Sequence, residues 1–183
     1  MDFERVVKTL LDEFAQQQIR YAAIGGFALG ALGVPRATAD LDFLVHRDDL
    51  DRLHQALSRL GYVRRIQTEN VSHYRHPEQA WGAVDFLHAF REIALSMLSR
   101  TRALPIFGGT QTIRVLEPED LIGLKVQAMA NDPLRQSRET ADIEALLARY
   151  GPQVNWQRIE EFFALFDLTE DAKRLKERFG NAQ

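Results

Sequence analysis

Over the first eighteen residues, apolar side chains recur at Phe3, Val6, Val7, Leu10, Leu11 and Phe14 with polar residues between them. That spacing predicts an amphipathic helix over 3–18, its apolar stripe facing a core. The next apolar run, Tyr21 to Ile24, stops at Gly25-Gly26 and predicts a short buried strand ending in a tight turn. Phe27 to Leu32 returns to helix-forming residues, halted by Gly33 and Pro35. Asp40 to Val45 then alternates acid and hydrophobe, the period of a strand with two unlike faces.

A second helix follows, with Leu50, Leu53, Leu57 and Leu60 on one side, Asp48 as its expected N-cap and Gly61 closing it. Segments 62–66, 70–76 and 82–88 read as strands and 91–100 as a helix. Leu104–Phe107 and Thr110–Val115 read as a hairpin around Gly108-Gly109. After Glu117-Pro118 only the helical period remains, over 118–130, 136–149, 155–165 and 168–179, with breaks at Gly151-Pro152 and Asp167. The expected fold class is α/β (α+β), with mixed structure over 1–116 and helices over 117–183. No repeat or low-complexity stretch interrupts it.

Composition narrows the function. The chain has 183 residues, enough for one well-packed domain or a domain with a helical extension. Its formal net charge of −3 argues against a general electrostatic grip on nucleic acid, which needs a concentrated basic face. The cations are mostly arginines and can still cluster locally; lysine occurs only at Lys8, Lys125, Lys173 and Lys176. The absence of cysteine excludes disulfides, thiol catalysis and cysteine-ligated zinc. Met1 to Arg5 is acidic and lacks the apolar core of a leader, and no apolar run approaches the roughly 18–20 residues of a membrane span. The expectation is a cytoplasmic protein with no membrane partner.

The chemistry lies in the acids. Side chains two apart on a strand point the same way, so Asp40 and Asp42 share a face while Leu41 and Phe43 point into the core. Val84-Asp85-Phe86-Leu87 repeats the pattern, and on a neighbouring strand Asp85 would face the other two. Three crowded carboxylates repel one another unless cations neutralise them or one takes up a proton. Magnesium, one ion or two, suits such oxygen ligands and leaves positions for phosphate. Gly25-Gly26 would let the backbone turn tightly and approach a phosphate closely. No Gly-x-Gly-x-x-Gly and no Gly-Lys-Ser/Thr is present, which excludes a dinucleotide fold and a P-loop. Asp-x-Asp alone is usually a solvated strand edge, and Gly-Gly alone usually a turn. The combination, with Arg36-x-Thr38 just before the acids and Asp85 downstream, carries the reading.

Ile24-Gly25-Gly26-Phe27-Ala28-Leu29 followed by Arg36-Ala37-Thr38-Ala39-Asp40-Leu41-Asp42-Phe43-Leu44 resembles the opening motif of the polymerase-β-like nucleotidyltransferase superfamily. Leu124 to Ala128 and Thr140 to Leu146 are similar to later elements of its AbiEii-type branch, the nucleotidyltransferase toxins of type IV toxin–antitoxin systems. The resemblance covers residues 20–148. It implies a nucleotidyltransferase fold, a short mixed β-sheet flanked by helices, with a catalytic core over 1–116 and a helical subdomain over 117–183 that closes the nucleotide cleft. It implies that Gly25 and Gly26 hold the triphosphate of an NTP and that Asp40, Asp42 and Asp85 are catalytic and bind metal. Asp85 would serve both as metal ligand and as possible base. Arg36, Thr38 and Lys125 would meet phosphate, and Asp142 would orient Lys125 or the acceptor. The acceptor would be an RNA end, a protein or a small molecule such as an aminoglycoside, with an antitoxin protein as a possible partner. The sequence departs from the superfamily at Gly26, where serine is common.

The histidines add little at this level. His73 and His76, three apart on a predicted strand, face opposite ways and make a poor metal pair. His88 is expected at a solvent-facing strand end. All five histidines lie at or before His88, which excludes a histidine-dependent nuclease in the helical half. Trp81 and Trp156 read as core or rim aromatics, and Asp171 to Arg178 as a solvated helix face. The leading reading is an enzyme that moves an NMP from an NTP to an acceptor hydroxyl. The alternatives are a nucleotide-binding module or partner protein of the same fold without turnover, or a small-molecule (aminoglycoside-type) nucleotidyltransferase.

Overall fold

A computed structural model describes residues 1–180; the last three positions of the expected helical subdomain, 181–183, lie outside the described residues. The chain divides at Leu116/Glu117 into two compact units.

The first unit is built on one seven-stranded mixed sheet. Its strands are β1 (Tyr21–Ile24), β2 (Leu41–His46), β3 (Val63–Gln67), β4 (Val71–Arg75), β5 (Ala83–Ala89), β6 (Thr101–Ile106) and β7 (Gln111–Leu116). The spatial order is β3-β4-β5-β2-β1-β7-β6. β2 runs parallel to β5 and β1 parallel to β7, and the other neighbours are antiparallel. The two parallel contacts require crossovers, which the chain makes through helices.

Helix α1 (Phe3–Gln16) forms where the apolar spacing predicts it, capped by the Asp2 side chain on the Arg5 N–H. Its buried stripe is Val6, Val7, Leu10, Leu11 and Phe14. The Phe14 ring meets Tyr21, Phe43 and Phe86 at 5.0, 5.4 and 6.3 Å, so α1 covers the apolar face of β1, β2 and β5. The fully buried Phe14, Phe43 and Phe86 each contribute about 1.5–3 kcal/mol. Alternation along β2 therefore decides which side Asp42 takes: Leu41, Phe43 and Val45 face the covered side, and Asp42 the other.

Three sequence expectations need correction. The glycine pair does not precede a helix but begins one, α2 (Gly25–Ala31). Asp40 is not in the strand; it sits in a bend before β2, exposed. Asp48 does not cap α3 (Leu50–Arg59), because a 3-10 turn at Arg47–Asp49 intervenes and Asp48 stays exposed. The neighbouring Asp49 is the buried acid. It accepts hydrogen bonds from Arg20 N, Nε and Nη2 at 2.8, 2.9 and 2.8 Å, and from Arg52. Burial alone would raise its pKa, but these bonds outweigh burial and hold it at about 2.

The second unit holds α5 (Pro118–Asn131), α6 (Gln136–Tyr150), α7 (Trp156–Ala164) and α8 (Thr169–Phe179), after α4 (Glu92–Ser99) has closed the helices of the first. No described helix is long and apolar enough to cross a membrane. A cavity of about 620 Å³ opens within this unit, floored by Ile143 and Phe163 and rimmed by the ion pairs Arg178–Glu144 and Arg174–Asp171. None of the sequence-predicted site residues lines it.

Candidate active site

The parallel pairing of β2 with β5 sets Asp42 directly opposite Asp85. Residues paired in register share a sheet face, so the two carboxylates stand side by side on the face that α1 does not cover. Both are half-buried. The antiparallel pairing of β5 with β4 then sets His73 opposite Asp85, and His73 Nδ1 donates to Asp85 Oδ1 at 2.8 Å.

Gly25 completes this end of the sheet. Ile24 pairs with Asp42, so the chain leaves β1 beside that acid and turns at Gly25 with φ +66°. A β-carbon at Gly25 would lie 2.1 Å from Asp42 Oδ2, an overlap only glycine avoids. One at Gly26 would lie 2.7 Å from the Thr38 Cβ and 3.0 Å from its Oγ1, with Arg36 Cγ next at 3.5 Å. Both glycines are thus pressed against the segment carrying Arg36, Thr38 and Asp42. Thr38 Oγ1 donates to the Asp40 carbonyl at 3.1 Å and Arg36 to the Ala37 carbonyl at 2.6 Å.

The structure brings Gly25, Gly26, Arg36, Thr38, Asp42 and Asp85 to one end of the sheet, with Asp40 exposed beside them. Among the described residues, no three His, Asp or Glu side chains gather closely enough to form a ready metal cage. Magnesium does not require one: it keeps several waters and is commonly held by one or two carboxylates plus substrate phosphate oxygens. Two register-paired carboxylates, with only oxygen presented by the acids, fit that chemistry.

Lys125 and Asp142 belong to the second unit and meet there. Lys125, 7% exposed, donates to Asp142 Oδ2 at 2.6 Å and to Glu139 Oε2 at 2.9 Å. Arg135 holds the other Glu139 oxygen, Oε1, through Nε at 3.1 Å and Nη2 at 2.6 Å. Burial would raise the Glu139 pKa, but the bonds from Lys125 and Arg135 bring it below its ordinary value. Pairing of Lys125 with two acids of α6 ties α5 to that helix.

His88 does not face solvent as expected. It is buried, with Nδ1 on the Glu69 carbonyl and Nε2 on Ser72 Oγ, both at 3.0 Å, and burial pushes its pKa down. The residue missed from sequence is His73. Its signal was present: once Arg75 is set against Ala83 across the turn, two steps along each strand bring His73 to Asp85. What was lacking was the register itself.

A family model described as "Uncharacterised nucleotidyltransferase" matches residues 3–171. Sequence comparison with curated proteins gives no match. Several solved structures share the fold. The solution structure of the antibiotic-resistance factor ANT(2″)-Ia aligns with a TM-score of 0.70 at 15% identity, covering 97% of this chain and 99% of that one. The lincomycin-bound lincosamide antibiotic adenylyltransferase LnuA gives 0.57 at 14%, covering 78% and 95%. A putative nucleotidyltransferase from Thermotoga maritima gives 0.58 at 14%, covering 76% and 92%. At such identities the likeness is one of fold, and the mixed sheet with its helices matches that of these proteins.

Proposed function

The chain belongs to the family of uncharacterised nucleotidyltransferases, and from that membership we propose that it transfers an NMP from an NTP to an acceptor hydroxyl at Asp40, Asp42 and Asp85, with magnesium bound. The observation that carries this reading is the register pairing of Asp42 with Asp85, with Gly25 held against Asp42. In the reaction, the acceptor oxygen bonds to the α-phosphorus and the bond to the bridging oxygen breaks. Its electron pair leaves with pyrophosphate, and the hydroxyl proton passes to Asp85. His73 occupies Asp85 Oδ1 and so leaves Oδ2 to take that proton. Asp42, Asp85 and the exposed Asp40 would hold magnesium, which when bound neutralises charge on the phosphates.

Gly25-Gly26 would cradle the phosphates beside Arg36 and Thr38. The glycine at position 26, where the superfamily often has serine, has a steric cause here: Thr38 fills the space a larger side chain would need. The Thr38 hydroxyl lies beside that same spot and, on turning from the Asp40 carbonyl, would offer phosphate the donor that Gly26 lacks. The likeness of Leu124–Ala128 and Thr140–Leu146 to the AbiEii-type branch supports a toxin-like version of this reading, restrained by a partner protein; arrest of growth on expression tests it.

The decisive experiment incubates the protein with Mg²⁺, each α-labelled NTP in turn, and cellular RNA, protein and small-molecule fractions. Label is expected in one fraction, and Asp42→Asn is expected to abolish it. Undiminished transfer by Asp42→Asn would sink the mechanism. NTP binding without pyrophosphate release in any fraction favours the second reading, a nucleotide-binding module, which the missing serine hydroxyl at Gly26 supports.

A further inference from the structure

The sheet does not end at Asp85. Beyond it on the same face stands His73 of β4, and beyond His73 stands Ile66 of the edge strand β3. Along β4, Val71, His73 and Arg75 take this open face while Ser72 and Tyr74 are buried on the other. Val63 pairs with Arg75 and joins the same face. Val63 and Ile66 are 47% and 51% exposed, two large apolar side chains left in solvent within two strands of the acids. Every residue of β3 is exposed. Arg65 sits at the bulge where the β3–β4 register shifts, and Arg75 pairs with Ala83, at the end of β5 nearest Asp85. At about 4.8 Å between strands and 3.3 Å per residue, the Arg75 backbone lies roughly 8 Å from that of Asp85.

Charge on this shelf is one-sided. Among the described residues, neither Arg65 nor Arg75 forms an ion pair within the chain, unlike Arg47, which holds Glu69 at 2.9 Å. The acids flanking the shelf are Asp85, already bonded to His73, and Glu78 on the loop beyond β4, whose backbone N–H bonds His76. Apolar area beside unpaired guanidinium groups suits a molecule with an apolar or planar body and an anionic group. It repels a polycation.

We propose that β4 and β3 form the acceptor shelf, and that the acceptor is a hydroxyl-bearing organophosphate whose phosphate meets Arg75 while its body covers Ile66 and Val63. This rests on the transferase reading, in which the attacking hydroxyl comes to Asp85, and adds the chemical class of what carries it. A small phosphorylated alcohol and the end of a nucleic acid share this chemistry.

The test follows backbone amide signals by NMR in the full chain saturated with Mg²⁺ and a non-hydrolysable ATP analogue. Adenosine 5′-monophosphate, a six-nucleotide RNA and kanamycin are then titrated separately. The expected result is perturbation of His73, Ile66 and Arg75 signals by a phosphate-bearing probe and none by kanamycin. Adenosine monophosphate alone acting points to a small acceptor; the RNA acting more strongly points to a nucleic-acid end. Arg75→Gln and Arg75→Glu, on an exposed strand, should weaken that binding at least about tenfold while leaving affinity for the ATP analogue unchanged. Failure of both phosphate probes to perturb β3 and β4, or perturbation there by kanamycin, overturns the proposal. Failure of the ATP analogue to bind at all overturns instead the transferase reading beneath it.

Discussion

Gly25 and Asp42 stand so close that a single added methyl group on the glycine would overlap the carboxylate, 2.1 Å from Oδ2. Gly25 opens α2 and Asp42 lies in β2, and the pairing of Ile24 with Asp42 brings them together. Gly25→Ala should therefore do two things. Its left-handed φ costs about 1 kcal/mol or more, visible as a fall of about 2–4 °C in Tm. Its methyl group displaces Asp42, and labelled-NTP transfer should fall about a hundredfold. In an Asp42→Ala background the stability penalty should shrink, which a double-mutant cycle by urea unfolding measures.

Asp42 and Asp85 stand opposite each other in register. Asp42→Asn and Asp85→Asn should each reduce transfer by at least about a hundredfold while Tm moves by no more than about 2–4 °C. Loss of activity together with a collapsed Tm would mean that the acids hold the fold rather than do chemistry.

His73 fixes the orientation of Asp85 through one hydrogen bond. His73→Ala should lower the turnover rate about tenfold with unchanged NTP affinity, and His73→Asn, which retains a donor, should recover most of the loss. Equal losses in both variants would deny His73 that role.

The buried trio Lys125, Glu139 and Asp142 gives a stability prediction. Lys125→Met removes the buried cation that Glu139 and Asp142 share, Glu139 keeping Arg135, and should cost about 3 kcal/mol in urea unfolding. Replacing all three together, Lys125→Met with Glu139→Gln and Asp142→Asn, should restore part of it.

Asp49 sets an acid limit. Its pKa is about 2 in the folded chain, below the ordinary carboxylate value, so its stabilisation is complete above pH 4 and is lost as pH falls from 4 through 2. The loss should be about 2 kcal/mol, and Asp49→Asn should flatten the stability profile across that window.

Much of the local structure was legible in the chain because it is written in local periods. The stripe from Val6 to Phe14 fixed α1, and the alternation around Asp42 fixed which face of β2 is apolar. After Leu116 the strands give way to helices, as the change to helical period at Pro118 predicts. Pairing is not local. Nothing in the one-dimensional pattern sets Asp42 against Asp85 or Lys125 against two acids of α6, which join segments with other elements between them, and even His73 against Asp85, on consecutive strands, needs the register of the hairpin. Caps failed for the same reason: Asp48 reads as well as Asp49, and only the approach of Arg20, just before β1, decides which acid is buried. The glycine pair, read as a turn, owes its place to side chains that arrive from elsewhere, Asp42 and Thr38. The sequence by itself determined the helical and strand periods and the acids and glycines placed on them, since residue type and period are local. Only the tertiary structure decided which of them share a face and who stands beside them, since register is settled by the packing of the whole sheet.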